Sequence, residues 1–118
     1  MGCAILVDAR GLNPSLTPSE SPAIVSPSNQ KVWPDPKAIE GVDSNLVGET
    51  GIASFATSQD QALSFLAANV QPLIVKAIRA VPADGVQNSV FRDYVMVSAS
   101  DAAKILALGK NCQVVFIK

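Results

Sequence analysis

The segment that decides the fold is Leu73-Ile74-Val75-Lys76-Ala77-Ile78-Arg79-Ala80-Val81, which is bounded by Pro72 and Pro82. A helix is conceivable, because its apolar residues recur at helical spacing and Pro72 suits a first helical turn. A strand is also conceivable, because the segment is rich in β-branched residues and lies between two prolines. The strand is favoured, since a turn signal at 81–85 leads to a second β-rich run at 91–97 that supplies a hairpin partner.

The remaining elements follow from local signals. Apolar runs predict strands at 1–9 and 112–117, and a short strand is expected near 51–56. Capping residues and apolar periodicity predict helices at 58–69 and 100–109. The order is therefore strand, long insertion, helix, strand, strand, helix, strand. This order predicts an α+β domain, a ferredoxin-like split βαβ sandwich with a long Pro/Ser-rich arm inserted after the first strand.

The predicted arm, residues 10–57, differs in composition from the rest of the chain. It holds six of the eight prolines and many serines, so it is not expected to form a helix or a central strand. Large apolar residues are nevertheless spaced along it, and the chain's single tryptophan is among them. We expect these residues to anchor the arm on this chain, on a second copy or on a partner protein. The candidate interaction residues are Leu16, Ile24, Val25, Val32, Trp33 and Ile39.

Composition bounds both the size and the chemistry of the protein. The chain has 118 residues, which suits a single domain spanning 1–118. It is 48% hydrophobic and only 16% charged, against roughly 25% charged in an average domain. The net charge of −1 supplies no field for binding nucleic acid or an anionic membrane, so neither is expected as a partner.

No signal peptide or membrane segment is expected, because the apolar run Cys3–Val7 is too short for either. The predicted location is therefore the cytoplasm or a virion. Cys3 and Cys112 lie in separate predicted strands, and the simpler interpretation is two buried thiols. A disulfide is possible if those strands are neighbours, which the sequence does not decide.

Catalytic signals are weak throughout the chain. It contains no histidine, no glycine-rich phosphate loop and no set of residues with metal-ligand spacing. Ser98 or Ser100 with Lys104 could form a Ser–Lys pair, but a capped helix start explains both serines. We therefore predict no enzyme activity, no catalytic residues, no cofactor and no metal.

The leading interpretation is a non-enzymatic structural or interaction protein that self-assembles as a homo-oligomer or docks on a protein partner through its arm. A subunit or decoration component of a viral or phage particle fits this pattern. One alternative is a small ligand-binding or catalytic domain that holds an acidic molecule on an open sheet face lined by Lys76, Arg92 and Tyr94. Another is an inhibitor or adaptor of a host protein.

Overall fold

A computed structural model gives the fold, and it describes residues 3–18, 22–33, 54–66, 70–82, 92–108 and 112–118. The described part of the chain is a mixed α+β structure with two sheets and two helices. In chain order the elements are β1 (Ala4–Asp8), β2 (Ala23–Val25), β3 (Lys31–Trp33), β4 (Ser54–Ala56), α1 (Gln59–Ser64), β5 (Leu73–Lys76), β6 (Arg79–Val81), β7 (Tyr94–Met96), α2 (Ala99–Ala107) and β8 (Gln113–Ile117).

The first sheet, sheet A, has the strand order β4-β8-β1-β5 and is parallel throughout. Its two central strands, β1 and β8, are buried along nearly their whole length. Unbroken apolar runs suit these positions, because a central parallel strand is covered on both faces. The strand β5 lies at one edge of this sheet and pairs with β1.

The second sheet, sheet B, has the order β3-β2-β7-β6. Its central pair β2 and β7 is parallel, whereas each edge strand is antiparallel to its neighbour. The strand β6 lies at one edge and pairs with β7 through Arg79 to Met96 and Val81 to Tyr94. This pairing confirms the predicted association of the 79–81 region with the 91–97 region.

One large core joins the two sheets. It takes Ile5, Val7 and Phe116 from sheet A together with Ile24 and Val95 from sheet B. The helix α2 also contributes to this core through Ala102 and Ile105. On the other face of sheet A, α1 and the residue that follows its C-cap cover a smaller cluster. Sheet A is therefore packed on both faces, as expected of a parallel sheet.

Both helices begin where the sequence predicts. Ser58 caps α1 by accepting a hydrogen bond from the Gln61 amide at 3.1 Å. Ser98 caps α2 by accepting one from the Asp101 amide at 3.0 Å. A capping side chain satisfies an amide that the first helical turn leaves without a partner, which is why such short-range signals are informative.

The coarse α+β prediction is confirmed, but the ferredoxin-like split βαβ sandwich is not. Its strands would share one sheet, whereas here sheet A is all parallel and sheet B is mixed. The predicted strand at 73–81 is two strands, β5 and β6, which lie in different sheets. Local pattern alone did not separate them, because both halves are extended and alternate in burial.

The expectation that the 10–57 arm contains no central strand is wrong. The strand β2 lies within this segment and is flanked on both sides in sheet B, by β3 and β7. The prolines do not interfere, because Pro22 precedes β2 and Pro27 follows it. Each residue of the strand keeps the backbone amide that sheet pairing requires.

Candidate interaction surface

The chain from residue 73 to residue 81 borders both sheets, and we call it the 73–81 border. It begins as β5 at the edge of sheet A and ends as β6 at the edge of sheet B. Two backbone hydrogen bonds mark the crossing. The Ala77 amide donates to the Asp8 carbonyl at 2.9 Å, and the Ile78 amide donates to the Met96 carbonyl at 2.7 Å. Consecutive residues therefore anchor the border to opposite sheets.

Side chains of the border divide into an inward set and an outward set. The inward side chains are small or β-branched and lie in the shared core; they are Val75, Ala77 and Ala80. The outward side chains alternate in character; they are Ile74, Lys76, Ile78 and Arg79. Ile74 is 51% exposed and Ile78 is 53% exposed. The border thus presents two half-exposed isoleucines and two exposed cations along one continuous stretch of backbone.

An ion pair lies beside the border at the carboxyl end of β1. The Arg10 guanidinium donates two hydrogen bonds to the Asp8 carboxylate, from Nε at 2.9 Å and from Nη2 at 3.0 Å. The Arg10 amide donates a third at 3.1 Å. Asp8 is the register partner of Lys76 on β5.

These contacts determine the charge of Asp8. The hydrogen bonds from Arg10 are the main cause that lowers the pKa of Asp8 from its ordinary 3.8 to about 2, and the charge of Lys76 contributes to the same direction. The carboxylate is therefore ionised near neutral pH and is not suited to be a general acid there. Because Asp8 already engages Arg10, the pair is neutral overall, and Lys76 makes no ion pair with any described residue.

The residues of the predicted acidic-ligand face do not share one sheet face. Lys76 ends β5 in sheet A, whereas Tyr94 begins β7 in sheet B. Arg92 lies just before β7, and its Nη1 is 3.5 Å from the Ala80 carbonyl oxygen, to which it donates. The Tyr94 ring is buried and faces the Lys31 ammonium, which is 5.2 Å from the ring centroid. The structure therefore brings Arg92 to the β6 end of the border and leaves Tyr94 in contact with Lys31.

Arg92 has a further structural contact with the beginning of the predicted arm. Its backbone amide donates to Thr17 Oγ1 at 3.2 Å, and the Thr17 amide donates to the Arg92 carbonyl at 2.9 Å. This reciprocal pair holds residues that are 75 positions apart in the chain. These two hydrogen bonds hold the beginning of the arm next to sheet B.

The predicted arm anchors belong to this chain's own interior. Five of the six are buried by contacts within the chain, namely Leu16, Ile24, Val25, Val32 and Trp33. The Trp33 ring is 7% exposed and meets Phe116 edge-on, with ring centroids 6.4 Å apart. Ile39, the sixth, lies outside the described residues. The prediction that the arm docks specifically is thus accounted for by packing on its own subunit, at least as far as residue 33.

The Ser–Lys alternative also has a structural explanation. Ser98 Oγ accepts the capping hydrogen bond of α2, and Ser100 and Lys104 are exposed on that helix.

Within the described residues, no group of three or more His, Cys, Asp or Glu could hold a metal ion. No helix in these same segments has both the length and the apolar character needed to span a membrane.

Sequence reasoning missed two features of this region. The Asp8–Arg10 pair has a signal, since two opposite charges lie two residues apart at the end of an apolar strand. The border itself has a weaker one, the alternation of Ile74, Lys76 and Ile78 with buried neighbours. Neither signal says which strand lies at the edge of a sheet, because that depends on the strand order.

Among the described residues, these features define a two-sheet α+β domain with a basic border formed by edge strands. A comparison with protein-family models matches residues 4–118 to the family described as Treponema pallidum Tp0624, second domain. The chain belongs to this family, because the match covers nearly the whole sequence. No curated protein matches the chain.

Proposed function

We propose that this chain is a non-enzymatic interaction domain that binds an extended, acidic segment of a partner protein along the 73–81 border. The observation that carries the proposal is the run of outward residues Ile74, Lys76, Ile78 and Arg79 on the edges of both sheets. Five of the six residues expected to anchor the arm on this chain, on a second copy or on a partner are buried in this chain's own core, which favours a binding surface formed by other residues. Protein binding remains the proposed activity, and no cofactor is required for it.

Backbone geometry supports the binding of an extended segment. On an edge strand, alternate amides and carbonyls point away from the sheet and can pair with another strand. The Ala77 amide donates to β1. In this parallel pair, the backbone groups of β5 residues an even number of positions from Ala77 therefore also point towards β1. Ile74 and Lys76 lie an odd number of positions from Ala77, so their backbone amides and carbonyls point away from sheet A. A partner strand can add to sheet A at this position.

Charge supports an acidic partner rather than a second copy of this chain. Asp8 and Arg10 neutralise each other, whereas Lys76 and Arg79 have no ion-pair partner in the part of the chain that the structure describes. Among the described residues, the border therefore has two positive charges that take part in no ion pair. A second copy would bring the same cations to the edge, and lysine on an edge strand discourages such pairing. Glutamate or aspartate on an added strand would face these cations instead.

The half-exposed isoleucines supply the apolar part of the surface. Ile74 and Ile78 are each about half accessible, at 51% and 53%. Covering them removes apolar area from water, which stabilises a complex at roughly 25 cal/mol per Å² before the costs of association. An added segment matches this pattern when apolar and acidic residues alternate at every second position, because those residues share one face of the added strand.

The test uses the full chain and a fluorescein-labelled short peptide with the repeat Val-Thr-Glu-Thr, followed by fluorescence anisotropy, because residues two apart on a strand share one face and this repeat places valine and glutamate alternately on that face. The variant K76E/R79E is expected to weaken binding about tenfold, because two favourable cross-strand charge pairs become repulsive. The control is K104E, which reverses one positive charge on the exposed face of α2. K76E alone is the border variant that matches this control in charge. A peptide with lysine in place of glutamate is expected not to bind.

A second pair of variants tests the apolar contribution. I78D is expected to weaken binding of the glutamate peptide more than L106D does, although the two original side chains have similar exposure, 53% and 55%. Amide chemical shifts should change at residues 73–81 when the peptide is added. The proposal fails if K104E and the charge-matched K76E weaken binding equally, or if no binding is detected. A mass that doubles with concentration, with protection at 73–81, would assign the border to a second copy instead.

The broader expectations stay predictions. The absence of enzyme activity, an adaptor or inhibitor role, homo-oligomer formation and a place in a viral or phage particle are compatible with an interaction domain. The predicted location, cytoplasm or virion, is likewise a prediction. The family description names a second domain, which favours a unit that works beside another domain.

A further inference from the structure

Two cysteines at opposite ends of the sequence meet at the amino edge of sheet A. Cys3 precedes β1 and Cys112 precedes β8, and the two strands are parallel neighbours at the centre of the sheet. The ladder between them starts with Ala4 opposite Gln113, so the cysteines face each other one position earlier. The Gln113 amide donates to the Cys3 carbonyl at 3.0 Å and extends the ladder to this point.

The two sulfurs form a disulfide. The Cα atoms of Cys3 and Cys112 are 4.6 Å apart, within the range of about 4.4–6.8 Å that disulfides require. Cys112 is buried in the shared core and Cys3 is partly buried against it. The bond closes a sequence separation of 109 residues. The simpler sequence interpretation, two separate buried thiols, is therefore replaced by a cross-link.

From this bond we infer that the protein folds and works in an oxidising compartment outside the cytoplasm, where the Cys3–Cys112 disulfide holds the amino ends of the two central strands together. Disulfides persist in such compartments and are rare in the cytoplasm, where thiol reductants keep cysteines reduced. This inference departs from the cytoplasmic location predicted from the sequence. It does not depend on the binding proposed for the 73–81 border, because the cysteines lie at the amino ends of the two central strands of sheet A, whereas the border begins at its edge strand β5.

Formation of the bond needs an oxidant of a stated kind. Two thiols lose two protons and two electrons in all. A dithiol–disulfide oxidoreductase accepts the electrons when its own disulfide is reduced to two thiols through a mixed-disulfide intermediate. Atoms and electrons then balance without any group from this chain besides Cys3 and Cys112.

The direct test follows the thiols in cells that naturally make the protein. Cells are quenched in acid, and the denatured protein is treated with a maleimide-linked polyethylene glycol and detected with an antibody. The expected result is no adduct before reduction and two adducts after it. Two adducts without any reduction would show that the cysteines are thiols in the cell, and the inference would then be abandoned.

A second measurement tests the structural role on the purified full chain. The oxidised protein is expected to melt about 8–16 °C above the reduced protein, since a cross-link over a long loop restricts the unfolded chain. The variant C3A/C112A separates this effect from packing. With reductant present, the melting temperature of the variant should be near that of the wild type. Without reductant, it should be well below that of the wild type. Equal melting of the oxidised and reduced wild type would overturn the proposed role of the bond.

Discussion

Replacement of Trp33 tests whether the arm is part of the core. Trp33→Ala removes a ring that is 7% exposed and that meets Phe116 edge-on. Loss of a buried aromatic side chain costs about 3–5 kcal/mol, because both transfer energy and packing contacts disappear. The unfolding entropy of a chain of this length is about 0.25 kcal/mol/K, so the melting temperature should fall by about 12–20 °C.

The assay is urea unfolding followed by circular dichroism, together with a thermal scan. Leu63→Ala is the matched control, because that side chain is 41% exposed on α1, and its effect should stay within about 0.5 kcal/mol. A double-mutant cycle of Trp33→Ala with Phe116→Leu should show a coupling of about 0.5–1.5 kcal/mol from the edge-on contact. A loss below about 1 kcal/mol for Trp33→Ala would refute the assignment of the arm to the core.

Two further predictions concern local electrostatics and capping. The pKa of Asp8 is lowered from 3.8 to about 2, so the stability from its pair with Arg10 is present at neutral pH and is lost as pH falls from about 4 towards 2. Urea unfolding of wild type and Arg10→Gln should therefore differ at pH 7 and converge at low pH, and a difference independent of pH would contradict this. Ser98→Ala should cost about 1 kcal/mol by removing the cap of α2, while the exposed Ser100→Ala should cost little; equal losses would argue against the cap.

The sequence was most informative where the relevant interaction spans few residues. Ser58 and Ser98 predicted two helix starts, because a cap bonds to an amide only three positions away. The extended character of 73–81 was also predicted, since β-branched residues and flanking prolines act locally. The sequence did not predict that the chain passes from sheet A to sheet B at Ala77 and Ile78, because both halves of the segment have the same local pattern and only their partner strands differ.

The candidate surface was accessible to prediction only in part. Lys76 was named as a binding residue, but with Tyr94, which belongs to the other sheet. The arm residues were recognised as residues that must be buried, although what buries them is this chain itself. A large side chain between prolines signals a need for a pocket, but its sequence neighbours do not identify the pocket.

The amino-acid sequence by itself determined where the two helices begin, that the terminal apolar runs are strands and that the large apolar side chains of the arm must leave water, because these depend on neighbours within a few positions. Only the tertiary structure decided that the strands divide between two sheets, that β2 is central, that Cys3 meets Cys112 and that β5 and β6 are edge strands of the described sheets. Each of those outcomes is a choice among partners far apart in the chain, and such choices are made by the packing of the whole core.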